Sequence, residues 1–305
     1  ILRLNADNRV EQKIVELLEK RTGKSYGREV SRWFRWLWLN KVELIENYPE
    51  FKSWLYGNLD PKFKGYFSSE FETTIRLDEV RWGGVVQDGI PPLRNPDMIS
   101  ASEAKYLEDD HVIFAIEING DYRAYPKRIM GWHEMFVDAV GGVEIVGVYC
   151  TLCGAMIIYE SQINGVLHKM GTSGFLYRSN KLMYDEATQS LWNTFWGRPV
   201  IGPLVGKGIV LEQRSVVTTT WGEWRDRHPD TTVLSIDTGY KFDYKEGAAY
   251  REYYSTDKLM FNVPKLDKRL KNKAEILGIS LDNHPDEPVA FSAKYLLKHQ
   301  LLYEQ

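Results

Sequence analysis

The chain has 305 residues, of which 43% are hydrophobic and 27% charged, and its formal net charge is −3. That composition excludes an intrinsically disordered chain, and it offers no basic field for nucleic acid or an anionic membrane surface. No apolar run reaches the roughly 18 residues a membrane span requires. The length suits one large or two ordinary domains with a sizeable core.

Residues 1–67 read as a helical leader. Apolar residues recur at Val10, Ile14, Leu17 and Leu18 between Arg9 and Arg21, one face of an amphipathic helix, and Thr22-Gly23 supplies its stop. Arg28 to Leu39 carries Trp33, Phe34, Trp36, Leu37 and Trp38. Helix-on-helix packing is the ordinary use of such residues, and a surface for a protein partner is the alternative. A third helix is predicted from Tyr48 to Leu59, ahead of Pro61.

Residues 68–99 hold Gly83-Gly84, Gly89, Pro91-Pro92 and Pro96, the composition of an ordered connecting segment. Residues 100–305 form the predicted core domain. His111 to Ile118 reads as a strand, Asn119-Gly120 as a hairpin turn, and Asp121 to Tyr125 as the returning strand. Asn164-Gly165 marks a second hairpin of the same kind between Ser161–Ile163 and Val166–Met170. The fold class is therefore α+β, with an N-terminal helical segment followed by a mixed, largely antiparallel β-rich domain. Val112 to His133 is echoed by Ile276 to His299: each has an apolar strand, a turn, an Ala-aromatic pair and a histidine nine residues after the alanine.

Both cysteines lie in Tyr149-Cys150-Thr151-Leu152-Cys153-Gly154, between the apolar runs Val143–Tyr149 and Ala155–Tyr159. The Cys-x-x-Cys is thus expected in a tight turn joining two strands, with Gly154 at a positive φ. Thioredoxin-type sites place the second cysteine in a helix, whereas strand follows here. Two thiolates and one imidazole, His133 of Trp132-His133-Glu134, would make a soft site for copper, with zinc as the alternative, and Met170 or Met183 could complete it. A structural disulfide and a pair of packed thiols are the other readings.

Gly171 to Trp192 is polar for a stretch flanked by apparent core. Arg178, Ser179, Asn180, Tyr184, Asp185 and Thr188 could line a pocket for a small-molecule or peptide substrate, or Arg178 and Asp185 could simply pair. Gly171 to Gly174 could form an anion-binding nest, although no phosphate-loop spacing is present. Thr218 to Arg225 resembles a threonine-capped helix start that ends before His228-Pro229, where His228 is read as a turn residue. His111, His168 and His284 have no partner in the sequence.

The motifs Asp88-Gly89-Ile90-Pro91, Asn119 to Pro126, Trp132-His133-Glu134, Tyr149 to Gly154, Ser173 to Asn180, Leu182 to Asp185, Ser190 to Trp192 and Thr219 to Trp221 together resemble a microbial family filed as domain of unknown function 3179. The resemblance runs from about Asp88 to Leu234, extends weakly to about residue 299, and supplies no reaction. It implies frequent export, hence an extracytoplasmic location. The chain begins at Ile1, so the lack of a signal peptide does not argue for the cytoplasm. This chain has Val137 where the family pattern has a polar residue, and Thr151 where it has proline; the first change removes a group that could orient His133.

Three functions compete. The first is a redox-active metalloprotein with metal on His133, Cys150 and Cys153, Glu134 as acid or base, and Arg178 and Asp185 on the substrate side. The second is a metal-free thiol–disulfide oxidoreductase, and the third a binding module with a fixed disulfide.

Overall fold

The computed structural model describes residue 4 and residues 7–281 and 284–299. Residues 300–305, the end of the predicted core domain, lie outside the described residues. The leader forms helices Asn8–Thr22, Val30–Leu39 and Tyr48–Gly57. Asp7 caps the first, accepting from the Arg9 N–H at 2.8 Å, and Gly23 closes it at φ 66°. No described helix is long and apolar enough to cross a membrane.

Three five-stranded sheets stack to build the core domain. The first runs Val80–Trp82, Met170–Tyr177, Asn180–Asp185, Leu191–Asn193 and Arg198–Ile201, entirely antiparallel. The middle sheet runs Gln213–Arg214, Ala155–Glu160, Val143–Cys150, Met135–Val140 and Leu93–Arg94, the last pair parallel. The third runs Val217–Thr220, Val112–Ile118, Asp121–Pro126, Thr232–Leu234 and Met98–Ser100, with one parallel pair. Residues 68–99, predicted to connect, also contribute a strand to the first and middle sheets and part of one to the third.

The period of two explains why the cysteine strand is apolar throughout. Val146 and Val148 face the first sheet, packing with Met170, Met183 and Trp192, while Ile145 and Tyr149 face the third, packing with Phe114 and Tyr125. Gly147 lies opposite Phe136, whose ring stacks on Tyr125 with centroids 3.7 Å apart; any side chain at 147 would run into that ring. Helix Trp221–Arg227 covers the outer face of the third sheet with Trp221 and Trp224, and His228 beyond its end stacks on Tyr122. Both Asn-Gly turns are present, with Asn119 and Gly120 at φ 51° and 82°, and Asn164 and Gly165 at 50° and 79°. Ile276–Leu281 and His284–Ser292 form a separate hairpin followed by helix Ala293–Leu296, the same order as Val112–Ile118, Asp121–Pro126 and Lys127–His133.

The leader covers the outer face of the first sheet. Phe63, Tyr66 and Phe67 surround Phe175, and Trp33 and Trp38 are buried, so the aromatic segment serves packing. Lys52 fastens the leader from within: its Nζ donates to the carbonyls of Leu77 at 2.8 Å and Val80 at 2.7 Å beneath the rings of Tyr48, Tyr56 and Phe67. Burial brings its pKa down to about 7. A folded pKa below the unfolded one means that the unfolded chain holds the extra proton between those values, so stability rises with pH across that window. Lys52 should therefore add roughly 2 kcal/mol of stability between pH 7 and pH 9, the Asp78 charge opposing the effect of burial. Urea unfolding of wild type and Lys52→Met over this range tests it: the difference should narrow at low pH and widen in favour of wild type at high pH, and a pH-independent difference refutes it.

Candidate functional site

The cysteines occupy the predicted turn between Val143–Cys150 and Ala155–Glu160. Cys150 O accepts from the N–H groups of Cys153 at 3.0 Å and Gly154 at 2.8 Å, with Gly154 at φ 67°. The two sulfurs are joined as a disulfide, with Cα atoms 5.2 Å apart. Their surroundings differ. Cys150 is 2% exposed, whereas Cys153 is open to solvent. Asn180 Nδ2 donates to Cys153 Sγ at 3.3 Å, and its buried Oδ1 has no partner. Asn180 reaches the sulfur because Arg178 and Ser179, at φ 48° and 72°, make a two-residue hairpin turn of the kind usually left to Asn-Gly.

Beside Cys150 lies a small chamber of about 90 Å³, its wall mostly apolar, into which Glu134, Thr151, Thr172, Lys181 and Tyr250 bring polar groups. Glu134 caps helix Lys127–His133 in the left-handed conformation at φ 56°, which turns its carboxylate towards the cysteine loop. Its Oε1 accepts from Thr151 Oγ1 at 2.8 Å and from the Tyr250 hydroxyl at 2.7 Å, and its Oε2 pairs with the Lys181 ammonium. Both members are buried, at 3% and 7% exposure. Burial pulls the Lys181 pKa below the ordinary lysine range, opposed by the Glu134 charge, and burial pushes the Tyr250 hydroxyl well up.

Helix Arg251–Tyr254 and the residue before it hold the loop from the outside. Tyr253 OH donates to Leu152 O at 3.1 Å, Tyr254 OH donates to Thr151 O at 2.5 Å, and Tyr250 reaches Glu134. The spacing of 250, 253 and 254 puts all three on one helical face, which is the sequence signal for this clamp. Lys181 also left a signal, as a lysine inside Asn180–Asp185, a strand buried at every position.

The predicted site residues divide into separate groups. Glu134 lines the chamber with Cys150, whereas His133 is not among its lining residues. It is fully buried; its Nδ1–H donates to Pro91 O at 2.8 Å, and its Nε2 accepts from Tyr244 OH at 2.5 Å. Both ring nitrogens of His133 are thus engaged away from the cysteines, whose sulfurs are bonded to each other. Among the described residues, Glu108, Asp110 and His111 alone cluster closely enough to hold an ion. Arg178 and Asp185 do not pair: Arg178 binds Glu79, and Asp185 accepts from His168 Nδ1 at 2.9 Å and from the Thr188 N–H at 2.9 Å. His168, without a partner in the sequence, thus has one in the fold. The nest expected at Gly171–Gly174 is occupied by the protein itself, since the Thr172 N–H donates to Asp88 Oδ1 at 3.0 Å.

Beyond Cys153 opens a cleft of about 830 Å³ between the Arg178–Asn180 turn and the C-terminal segment from Leu259 to Ser292. The disulfide thus lies between a small, mostly apolar chamber that holds the Glu134–Lys181 pair and a larger cleft. Comparisons with curated proteins and with solved structures each find no match. Residues 87–305 match the family described as Protein of unknown function (DUF3179), and the chain belongs to that family.

Proposed function

We propose that the chain is a metal-free thiol–disulfide oxidoreductase in which Cys150 and Cys153 cycle between disulfide and dithiol. The observation that carries the reading is the asymmetry of the bond, with Cys153 exposed at a cleft and Cys150 buried over the chamber. Exchange requires an accessible sulfur for attack and a stabilised sulfur to leave.

A substrate thiolate attacks Cys153 Sγ, the Cys150–Cys153 bond breaks, and Cys150 departs as a thiolate. A second thiolate of the substrate then attacks the substrate sulfur of the mixed disulfide and releases Cys153. Two electrons pass from the substrate dithiol, which becomes a disulfide, to the pair, and the two protons follow to the protein thiolates. The Lys181 ammonium shares the Cys150 chamber and favours the leaving thiolate, and Glu134 holds that ammonium in place. An acceptor disulfide restores the pair by the reverse steps. A persistent disulfide also fits an extracytoplasmic location.

Reduction removes a crosslink that closes a very short loop, so little stability is at stake and cycling costs the fold little. Copper or zinc on the reduced pair is the rival, and His133 would have to leave both its partners to join it. Equilibration with dithiothreitol or glutathione buffers is the test. A potential between about −270 and −120 mV, the span of known exchange catalysts, is expected, while one below about −300 mV would make the bond a fixed staple.

A further inference from the structure

Resting on that exchange reading, we infer that the cleft beside Cys153 seats an acidic, cysteine-bearing polypeptide segment. Its volume of about 830 Å³ exceeds what a simple thiol would fill. Its walls are apolar and solvent-facing, with Phe195 47%, Leu266 44%, Leu270 44% and Ile276 51% exposed. The hairpin Ile276–Leu281 with His284–Ser292 forms one wall, among the described residues a sheet of two strands, each with an outer edge. An extended peptide can add to such an edge by main-chain hydrogen bonds while its side chains enter the apolar groove.

The charge on the lining identifies the partner. Arg178, Lys265, Arg269 and Lys271 line the cleft; Arg178 is paired with Glu79 and Arg269 with Asp267, so Lys265 and Lys271 supply a surplus of positive charge there although the whole chain carries −3. A thiol flanked by Asp or Glu is drawn to Cys153, and one flanked by Lys or Arg is repelled.

Stopped-flow reduction of the oxidised chain by two synthetic dithiol peptides of equal length, one flanked by glutamates and one by lysines, tests this with dithiothreitol as control. The acidic peptide should react at least tenfold faster at low ionic strength, and the ratio should shrink at high salt. The double variant Lys265→Glu/Lys271→Glu, altered only at exposed positions, should invert the preference. Equal rates for the two peptides, with dithiothreitol still reducing the pair at a catalyst-like potential, overturn the cleft assignment alone. If dithiothreitol poises the pair only at a fixed-staple potential, the exchange reading itself fails. Glutathione, also an acidic peptide thiol, reports length: a rate near that of the long acidic peptide shows that a tripeptide suffices and overturns the polypeptide assignment.

Discussion

In single-cysteine variants, Cys153 should be alkylated by iodoacetamide at least ~100-fold faster in Cys150→Ser than Cys150 is in Cys153→Ser. Cys153 is exposed in its loop and needs no opening, whereas Cys150 is 2% exposed beneath a loop that Tyr253 and Tyr254 hold by its carbonyls. A buried thiol reacts through local opening, and a ~100-fold deficit corresponds to about 2.8 kcal/mol of opening free energy. Lys181 works the other way by favouring the Cys150 thiolate, so the ratio understates the difference in access. The same asymmetry predicts that Cys150→Ser traps a mixed disulfide with an acceptor disulfide, the Cys153 thiolate attacking one acceptor sulfur while the other leaves as a thiolate, and that Cys153→Ser does not. Equal alkylation rates would remove the observation on which the exchange mechanism stands.

Much of this arrangement was legible because it depends on local rules. The Asn119-Gly120 and Asn164-Gly165 hairpins follow from turn chemistry, and the cysteine turn follows from two apolar runs joined by Cys-x-x-Cys-Gly. Whether those sulfurs bound metal, formed a bond or only packed was not legible, since each option begins from the same turn. Pairings across the chain were equally hidden. Glu134 meets Lys181 and Tyr250 across separations of 47 and 116 residues, which no local pattern encodes.

The failure of the Arg178–Asp185 pair has a geometric reason. Arg178 sits in the turn where Tyr177 pairs with Asn180, while Asp185 pairs with Met170 at the far end of the same hairpin. At about 3.3 Å per residue the two are roughly 20 Å apart, beyond any ion pair. His133 misled for another reason. A histidine beside Glu134 suggests a site, but at the end of helix Lys127–His133 consecutive residues point in different directions, so Glu134 reaches the sulfurs' chamber while the imidazole bolts the Pro91 loop to Tyr244. The Asp88 carboxylate that fills the predicted nest comes from the connecting segment, 84 residues before Thr172.

Removing both members of the buried pair should cost less than the two single removals added together. Lys181→Met leaves the Glu134 carboxylate with only the Thr151 and Tyr250 hydroxyls in a site 3% exposed, and an uncompensated buried charge costs about 3–5 kcal/mol. Lys181→Met/Glu134→Gln keeps the two hydroxyl hydrogen bonds on a neutral amide, so its loss should fall at least ~1 kcal/mol short of the sum of the single losses in urea unfolding. The Glu134→Gln variant carries a pH signature. Glu134 is the main influence holding the Lys181 pKa up against burial, so without it the folded value drops further below the unfolded one. The unfolded chain then binds the extra proton over a wider window beneath the ordinary lysine range, and stability relative to wild type should recover as pH rises between the two folded Lys181 pKa values. Exchange kinetics separate this pair from a merely structural one. If Lys181 serves the Cys150 thiolate, Lys181→Met should raise the Cys150 thiol pKa in the reduced protein, read from thiolate absorbance, while leaving Cys153 alkylation in the Cys150→Ser background close to its original rate. Additive losses of stability and an unmoved Cys150 titration would reduce the chamber to a packing detail and leave Cys150 no better a leaving group than an ordinary thiol.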